Sequence, residues 1–382
     1  MKLKDIGTIV TGNTPSKKNN EYYESKDILF IKPSDIEENY ITSLESSEEY
    51  ISEKARKKAR ILPKGAILVT CIGTIGKVGI LEREATCNQQ INAIIPNDKV
   101  ISKYLAYLIQ NKQKILQLKA NAPVVPIINK TDFSEIEINI CDKNSQEKIV
   151  KKLDLLKEII DKRKNQIEWL DNIIKSQFVE MFGDVGKNDR NWKYTTLGKE
   201  CFLNPKKSEL KNMNENFEVS FVAMPSVSEN GNIDTNIIKK YDDVKKGFTY
   251  FAENDVLFAK ITPCMENGKG AVAVGLKNKI GFGSTEFHVL RPKENINSVW
   301  LYTLTAMKSF RIEAERKMTG SAGQKRVPIS FFETYNLGLP PIELQNQFAD
   351  IVKQIDKQKF EIDKSLKEMQ ELYESLMEKY FG

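Results

Sequence analysis

Two stretches of the chain carry apolar residues in alternating steps of four and three. In the first, Ile149, Leu153, Leu156, Ile160, Ile167, Leu170, Ile174 and Met181 fall on that rhythm or its multiples. In the second, Phe348, Val352, Ile355, Ile362, Leu366, Met369, Tyr373 and Tyr380 do so, with Lys359 on one seam position. A 3.5-residue repeat is the seam of a coiled coil, in which one apolar stripe must face another helix. The spacing predicts long helices over 146–183 and 345–382, in identical register. Gln146 and Gly183 return 199 residues later as Gln345 and Gly382, with no gap between. The two helices are therefore each other's obvious partners, as an antiparallel pair. Arg163 and Lys359 interrupt the seam where their repeat mates are Ile362 and Ile160. Such residues either fix the register of the pair or reach along it to water.

Before the first helix, short apolar runs alternate with turn signals. Ile28–Ile31, Ala66–Thr70, Val78–Leu81 and Ile91–Ile95 read as strands. Ser102 reads as the cap of a helix through Leu118, and Ile136, Ile138 and Ile140 alternate like a half-exposed strand. Gly183–Asn191 breaks all periodicity and reads as a linker. After Trp192 the plan repeats. Phe30–Ser34 matches Val222–Ser226, Lys64–Leu68 matches Glu253–Leu257, and Asn88–Pro96 matches Ser284–Pro292. The offset drifts from 192 to 196 across these pairs and settles at 199 from about Asn121 and Gly320 onward. The expected organisation is a globular domain over 1–142, a spacer helix over 143–183, a second globular domain over 184–340 and a second spacer helix over 341–382. The fold class is α+β: two α/β-type globular domains separated by two long helices that pair as an antiparallel coiled coil, an internal pseudo-twofold repeat. Duplication alone leaves such a pattern, but it gives no reason to spare helix length while loops vary. A mechanical length does: roughly 35 residues at 1.5 Å each make a rod of about 50 Å.

Composition bounds the rest. A chain of 382 residues with 40% hydrophobic and 29% charged residues is globular and suits two or three domains. The formal charge of +6 permits a nucleic-acid partner without requiring one. Met1-Lys2-Leu3-Lys4-Asp5 lacks a signal-peptide core, no apolar run is long enough to span a membrane, and five scattered cysteines read as reduced thiols. The expectation is a cytoplasmic protein with no membrane partner. Catalytic signals are few. The single histidine, His288, lies in a predicted strand, which leaves little room for a histidine triad or a multi-histidine metal site. Gly73–Val78 lacks the spacing of a phosphate-binding loop, Gly281-Phe282-Gly283 lacks a third glycine, and Asn204-Pro205 is followed by Lys206-Lys207 with no aromatic residue. The chain is expected to do no covalent chemistry and to bind no metal or cofactor.

Polar loops offer better signals. Thr319–Val327 places Ser321, Gln324, Lys325 and Arg326 among glycines before a predicted strand. Glutamine and arginine can pair bidentately with base edges, while lysine and serine suit phosphate. Lys119–Pro123 occupies the corresponding place in the first half, without matching charge. Lys260, Thr262 and Lys269 lie in a second such loop, with Thr74 and Lys77 in its counterpart. Lys17 and Lys18 pair with Lys206 and Lys207 as early basic loops, and Gln89 sits opposite Thr285. Each alone could be a solvated loop. Their recurrence at matching places is the stronger fact.

Gly283-Ser284-Thr285-Glu286-Phe287-His288-Val289-Leu290-Arg291-Pro292, Thr319–Val327 and Leu339-Pro340-Pro341-Ile342-Glu343-Leu344-Gln345, in this order and with the repeat, resemble the specificity subunits of type I restriction–modification systems, the HsdS family. The first half departs from the pattern: Ile140–Gln146 keeps the glutamine but loses Pro-Pro, and Asn88-Gln89-Gln90 replaces Ser-Thr-Glu. The resemblance implies two target-recognition domains, each reading half of a bipartite double-stranded DNA target. It implies that the paired helices set the gap and dock two methyltransferase subunits. Those would bring S-adenosylmethionine and methylate adenine, with translocase–nuclease subunits completing a restriction enzyme. Half-sites one DNA turn apart lie roughly 34 Å from each other, within reach of such a rod. Two other readings of the residues stand beside it: a two-headed scaffold that holds proteins at its ends, and a nuclease built on scattered carboxylates.

Overall fold

The structure is a computed structural model that describes residues 1–120, 126–210, 213–321 and 323–382. Asn121, Ala122 and Pro123 of the first polar loop, and Ala322 of the second, lie outside the described residues. The chain forms two compact units. Unit 1 comprises Met1–Arg163 and Ser365–Gly382; unit 2 comprises Lys164–Lys364.

Unit 1 contains β1 (Gly7–Thr11), β2 (Ile28–Ile31), β3 (Ile41–Leu44), β4 (Glu49–Ile51), β5 (Ile67–Thr70), β6 (Val78–Leu81), β7 (Ala85–Cys87) and β8 (Ile91–Pro96). Then come α1 (Ser102–Asn111), α2 (Gln113–Lys119), α3 (Lys130–Ser134) and the first part of α4 (Lys143–Phe182). One sheet has the order β1-β8-β5-β6-β3 and the other β4-β2-β7. The strands are short β-branched runs buried on both faces, as Ile28–Ile31 and Ile67–Thr70 show.

Unit 2 holds the rest of α4, then β9 (Lys193–Thr196), α5 (Leu197–Glu200), β10 (Cys201–Leu203), β11 (Glu218–Val222), β12 (Ile238–Lys240), α6 (Tyr241–Val244), β13 (Thr249–Ala252), β14 (Val256–Ala259), β15 (Gly270–Val272), β16 (Ile280–Gly283) and β17 (Phe287–Pro292). It continues through α7 (Ser298–Ala306), α8 (Lys308–Arg316), α9 (Ile329–Thr334), β18 (Asn336–Leu339) and most of α10 (Ile342–Phe381). The order β10-β17-β14-β15 copies β1-β8-β5-β6, and the parallel pair β11·β16 copies β2·β7. The repeat read from the sequence is thus a repeat of strand order. Among the described residues, no helix is long and apolar enough to cross a membrane.

Several local expectations change. The helix expected to run unbroken from Ser102 to Leu118 breaks at Lys112 into α1 and α2, and its cap is Ile101, which has no side-chain bond to offer. The alternation at Ile136–Ile140 does bury Ile136 and Ile138, but no strand forms. Its partner is only the N-terminal segment, through one bridge between Lys2 and Glu137. The repeat equivalent, β18, finds a full partner in β9. Gly183–Asn191 is a packed turn, with Asp189 accepting the Asp184 N–H and Val185 buried.

The long helices run antiparallel inside each unit. In unit 2, Asp171 meets Lys359 at 2.6 Å, and further along α4 Phe178 meets Phe348 with ring centroids 5.5 Å apart. Leu170, Ile355 and Ile362 bury the seam there, flanked by Ile167 and Ile174, and Phe348 and Val352 continue into the unit's core. In unit 1, Leu153 packs with Met377 and Phe381, beside Ile149 and Tyr373. Leu156, Ile160 and Leu366 are buried, and Met369 is half-buried. Lys359 neither replaces an apolar contact nor reaches free water; it is an ion-paired interruption of the seam. The seam's last steps differ from the sequence rhythm. Met181 and Tyr380 are only half-buried, whereas Phe178, Phe182, Met377 and Phe381 are buried, because the helix ends pack on α7 and α1 as well as on a helix.

The start of each long helix is tied by one side chain. The Gln146 carbonyl oxygen accepts the Ile101 N–H at 2.9 Å, and its amide donates to Lys99 O and Cys141 O at 3.0 and 2.8 Å. Gln345 does the same with the Asn297 N–H, Asn295 O and Pro340 O at 2.9, 3.1 and 2.8 Å. Both glutamines are fully buried. Replacing Gln345→Ala leaves three polar groups unsatisfied and is expected to cost about 3 kcal/mol. Urea unfolding checks this, and a loss below about 0.5 kcal/mol, the scale of a plain surface substitution, would refute the anchor.

Candidate nucleic-acid interface

In unit 2 two polar loops converge over the end of β14. Ile261 bridges Arg326, Thr262 N–H donates to Lys325 O at 3.1 Å, and Val327 N–H donates to Lys260 O at 2.9 Å. The structure thereby brings Lys260, Thr262, Lys325 and Arg326 together, with Ser321 and Gln324 exposed at the tip of the second loop. Gly320 and Gly323 hold positive φ angles there, so the hairpin needs residues without a Cβ. Not every cation is offered to solvent. Arg326 forms a bidentate pair with Glu286, both contacts at 2.9 Å, which draws the Glu286 carboxyl below its usual range. Lys260 is half-buried, and burial lowers its pKa. Lys269 is half-buried, while Lys325 is exposed. Lys206 is exposed too. Its neighbour Lys207 donates to Lys245 O at 3.0 Å and lies over the Phe282 ring.

Beneath the loops lies His288. A carbonyl can only accept, so the 2.8 Å contact with Val327 O places the proton on Nε2, and Nδ1 accepts from Asn204 at 3.3 Å. Burial holds this imidazole neutral, with a pKa of about 4. It is a strut between β17 and the hairpin.

Unit 1 repeats the arrangement with different chemistry. Ile72 bridges Ile127, and Gly73 N–H donates to Pro126 O at 3.1 Å. Thr74 is exposed, while Lys77 is half-buried and points Nζ at Pro33 O, 3.4 Å away. Gln89 is exposed and accepts a hydrogen bond from Thr14 at 2.8 Å, on the loop that carries exposed Lys17 and Lys18. Asn13 of that loop donates to Lys58 O at 2.7 Å and accepts the Arg60 N–H at 2.8 Å. Asn13 thus ties the segment that carries exposed Lys57, Lys58 and Arg60 to the loop that carries Lys17 and Lys18, and the Arg60 guanidinium donates to Thr11 O. Sequence reasoning missed those three, although the run Lys54-Ala55-Arg56-Lys57-Lys58 was visible as a signal. Gly12 lets this loop approach, since a Cβ there would stand 2.1 Å from Asn88 O. Among the described residues, no cluster of His, Cys, Asp and Glu suits a metal ion.

The chain matches the family profile described as the type I restriction modification DNA specificity domain over residues 1–169 and 190–372. It is 41% identical over 193 residues to the Escherichia coli type I restriction enzyme EcoAI specificity subunit, covering 49% of this chain and 32% of that protein. It is 35% identical over 224 residues to the MjaIX specificity subunit of Methanocaldococcus jannaschii, covering 57% of this chain and 51% of that one. The chain thus spans about half or less of the length of these curated relatives. It shares its fold with the crystal structure of the type I restriction–modification S subunit from M. genitalium, with a TM-score of 0.54 and 14% identity over 100% of this chain and 95% of that one.

The buried imidazole sets a pH dependence. In the unfolded chain His288 takes up its proton near pH 6.5, but in the fold only near pH 4. Its contribution is whole above the first value and is lost as pH falls towards the second, at about 1.4 kcal/mol per pH unit. Between pH 7 and 5, wild-type unit 2 is expected to lose about 2 kcal/mol more than a His288→Gln variant. Urea titrations at both pH values measure the difference; parallel losses would show that His288 does not titrate this way.

Proposed function

Because the chain belongs to the type I restriction modification DNA specificity domain family, we propose that it is the non-catalytic, DNA-reading subunit of a type I restriction–modification enzyme. Each unit reads one half of a bipartite double-stranded DNA target. The length-matched helices set the gap between half-sites and dock two methyltransferase subunits. Those subunits bring S-adenosylmethionine and transfer the methyl group to adenine, and translocase–nuclease subunits complete the restriction activity. The observation that carries this reading is the double mounting of polar loops. Thr262–Lys325 in unit 2 and Gly73–Pro126 in unit 1 join equivalent loop pairs on equivalent strands, while the side chains they present differ. A common frame with unlike tips suits two readers of unlike sequences.

The residues divide by what holds them. Exposed Lys17, Lys18, Lys206 and Lys325 are the phosphate contacts, with Lys77, Lys260 and Lys269 adding positive field from half-buried positions. Gln89 and Gln324 are exposed amides able to read adenine edges, with Thr74, Thr262 and Ser321 beside them. Arg326 shapes the hairpin through Glu286 and reaches DNA only if that pair opens.

Binding of the chain with its methyltransferase subunits to duplex DNA is expected to weaken by orders of magnitude between 50 and 200 mM salt, as about six or more phosphate contacts require. Lys325→Ala should lower affinity for all sequences alike. Gln324→Ala should relax preference in one half-site by about 1–3 kcal/mol. Salt-independent binding, or binding to proteins but not to DNA, would favour the two-headed scaffold.

A further inference from the structure

Arg311 lies on α8 with 6% of its surface exposed. Its partners are carbonyls and a ring. Nε donates to Thr305 O at 2.7 Å, one terminal nitrogen to Met265 O at 3.1 Å, and the other to Gly268 O and Lys269 O at 3.2 and 3.3 Å. The guanidinium carbon stands 4.0 Å from the centre of the Phe258 ring. Burial draws its pKa down to about 10, so it stays charged at neutral pH.

A cation this deep is a poor way to fill space. An apolar side chain of the same length would avoid the desolvation penalty, so its donors must matter for what they hold. Three of the four carbonyls belong to the loop between β14 and β15. They come from residues 265–269, on the inner side of a turn whose other limb carries Thr262. Thr262 in turn bonds to Glu266 at 2.9 Å and to Lys325 O through its N–H. The guanidinium thus ties the loop to α8, and α8 leads directly into the Thr319–Val327 hairpin. Arg311 thus fixes directly the loop against which the hairpin, held by Arg326 and His288, is paired. Gly270 leaves room for it, since a Cβ there would lie 3.2 Å from the guanidinium. Unit 1 has a weaker equivalent: Gln113 and Gln117 of α2 both donate to the single carbonyl of Ile75, at 3.3 and 3.5 Å.

We propose that Arg311 is a positioning residue that sets the shape of the 260–269 loop, and through it the base preference of unit 2 alone. The inference rests on the reading of each unit as a DNA reader. Arg311→Lys keeps the charge but cannot span four carbonyls, and Arg311→Met keeps only the bulk. The test uses the full chain with its methyltransferase subunits and a DNA library randomised across the target, scoring base preference position by position, with unfolding followed in parallel. Wild type should select two blocks of preferred bases. Arg311→Lys should lower discrimination by about tenfold in one block, within the range that single base contacts supply, and leave the other within about twofold. Both blocks unchanged, or both weakened equally, overturns the assignment. Loss of cooperative unfolding of unit 2 in both variants also overturns it, because Arg311 would then be a core residue and nothing more. A wild-type complex that selects no block withdraws the DNA reading and this assignment together.

Discussion

One buried amide fixes where each long helix starts. Gln146 and Gln345, themselves fully buried, each satisfy one N–H and two carbonyls, and these bonds are directional. An apolar seam tolerates sliding, because one leucine meets another much as it met the last. A three-bond glutamine does not. At the far end of α4, Phe182 packs edge-on against Trp300 and Phe348; at the far end of α10, Phe381 packs edge-on against Tyr104. Each end of each helix is therefore held by contacts within its own unit.

The loops above this frame are set with different force in the two units. In unit 2 ionic and charge-assisted bonds do the fixing: Arg326 with Glu286, Arg311 with four carbonyls, and Arg291 with buried Asp255 at 2.7 and 2.8 Å. In unit 1 neutral side chains, Asn13 and Gln113 among them, share the work with Arg60, which donates to Thr11 O. Arg291, Arg311 and Arg326 of the second half thus hold structure. The lysines and glutamines at the tips are what remains to meet a partner.

The architecture was legible because it rests on periodicity. The seam, the strands at Ile28–Ile31 and Val78–Leu81, and the repeat all follow from the order of apolar residues, and the family resemblance follows from motifs in that order. Three kinds of feature were not legible. Ile136–Ile140 has strand alternation, but a strand also needs a partner long enough to pair with, and sequence does not show one. Phe178 and Met377 lie off the helix–helix rhythm and are buried because the globular units pack there beside the partner helix. Arg326 reads as a candidate for base edges and Arg311 falls in no motif, because composition cannot tell an arginine facing solvent from one facing carbonyls or a glutamate. The segment of Lys57, Lys58 and Arg60 is brought to the Lys17–Lys18 loop by Asn13, a long-range contact that sequence does not show.

Under the proposed function each unit reads its half-site independently of the other. Exchanging residues 184–340 for the equivalent stretch of a relative, with both helices untouched, tests it most directly. Methylated sites in DNA exposed to the hybrid and its methyltransferase subunits are then mapped by sequencing. The account predicts a target with one half-site changed, the other retained and the gap between them unaltered. A hybrid that keeps both original half-sites, or changes both together, would contradict it.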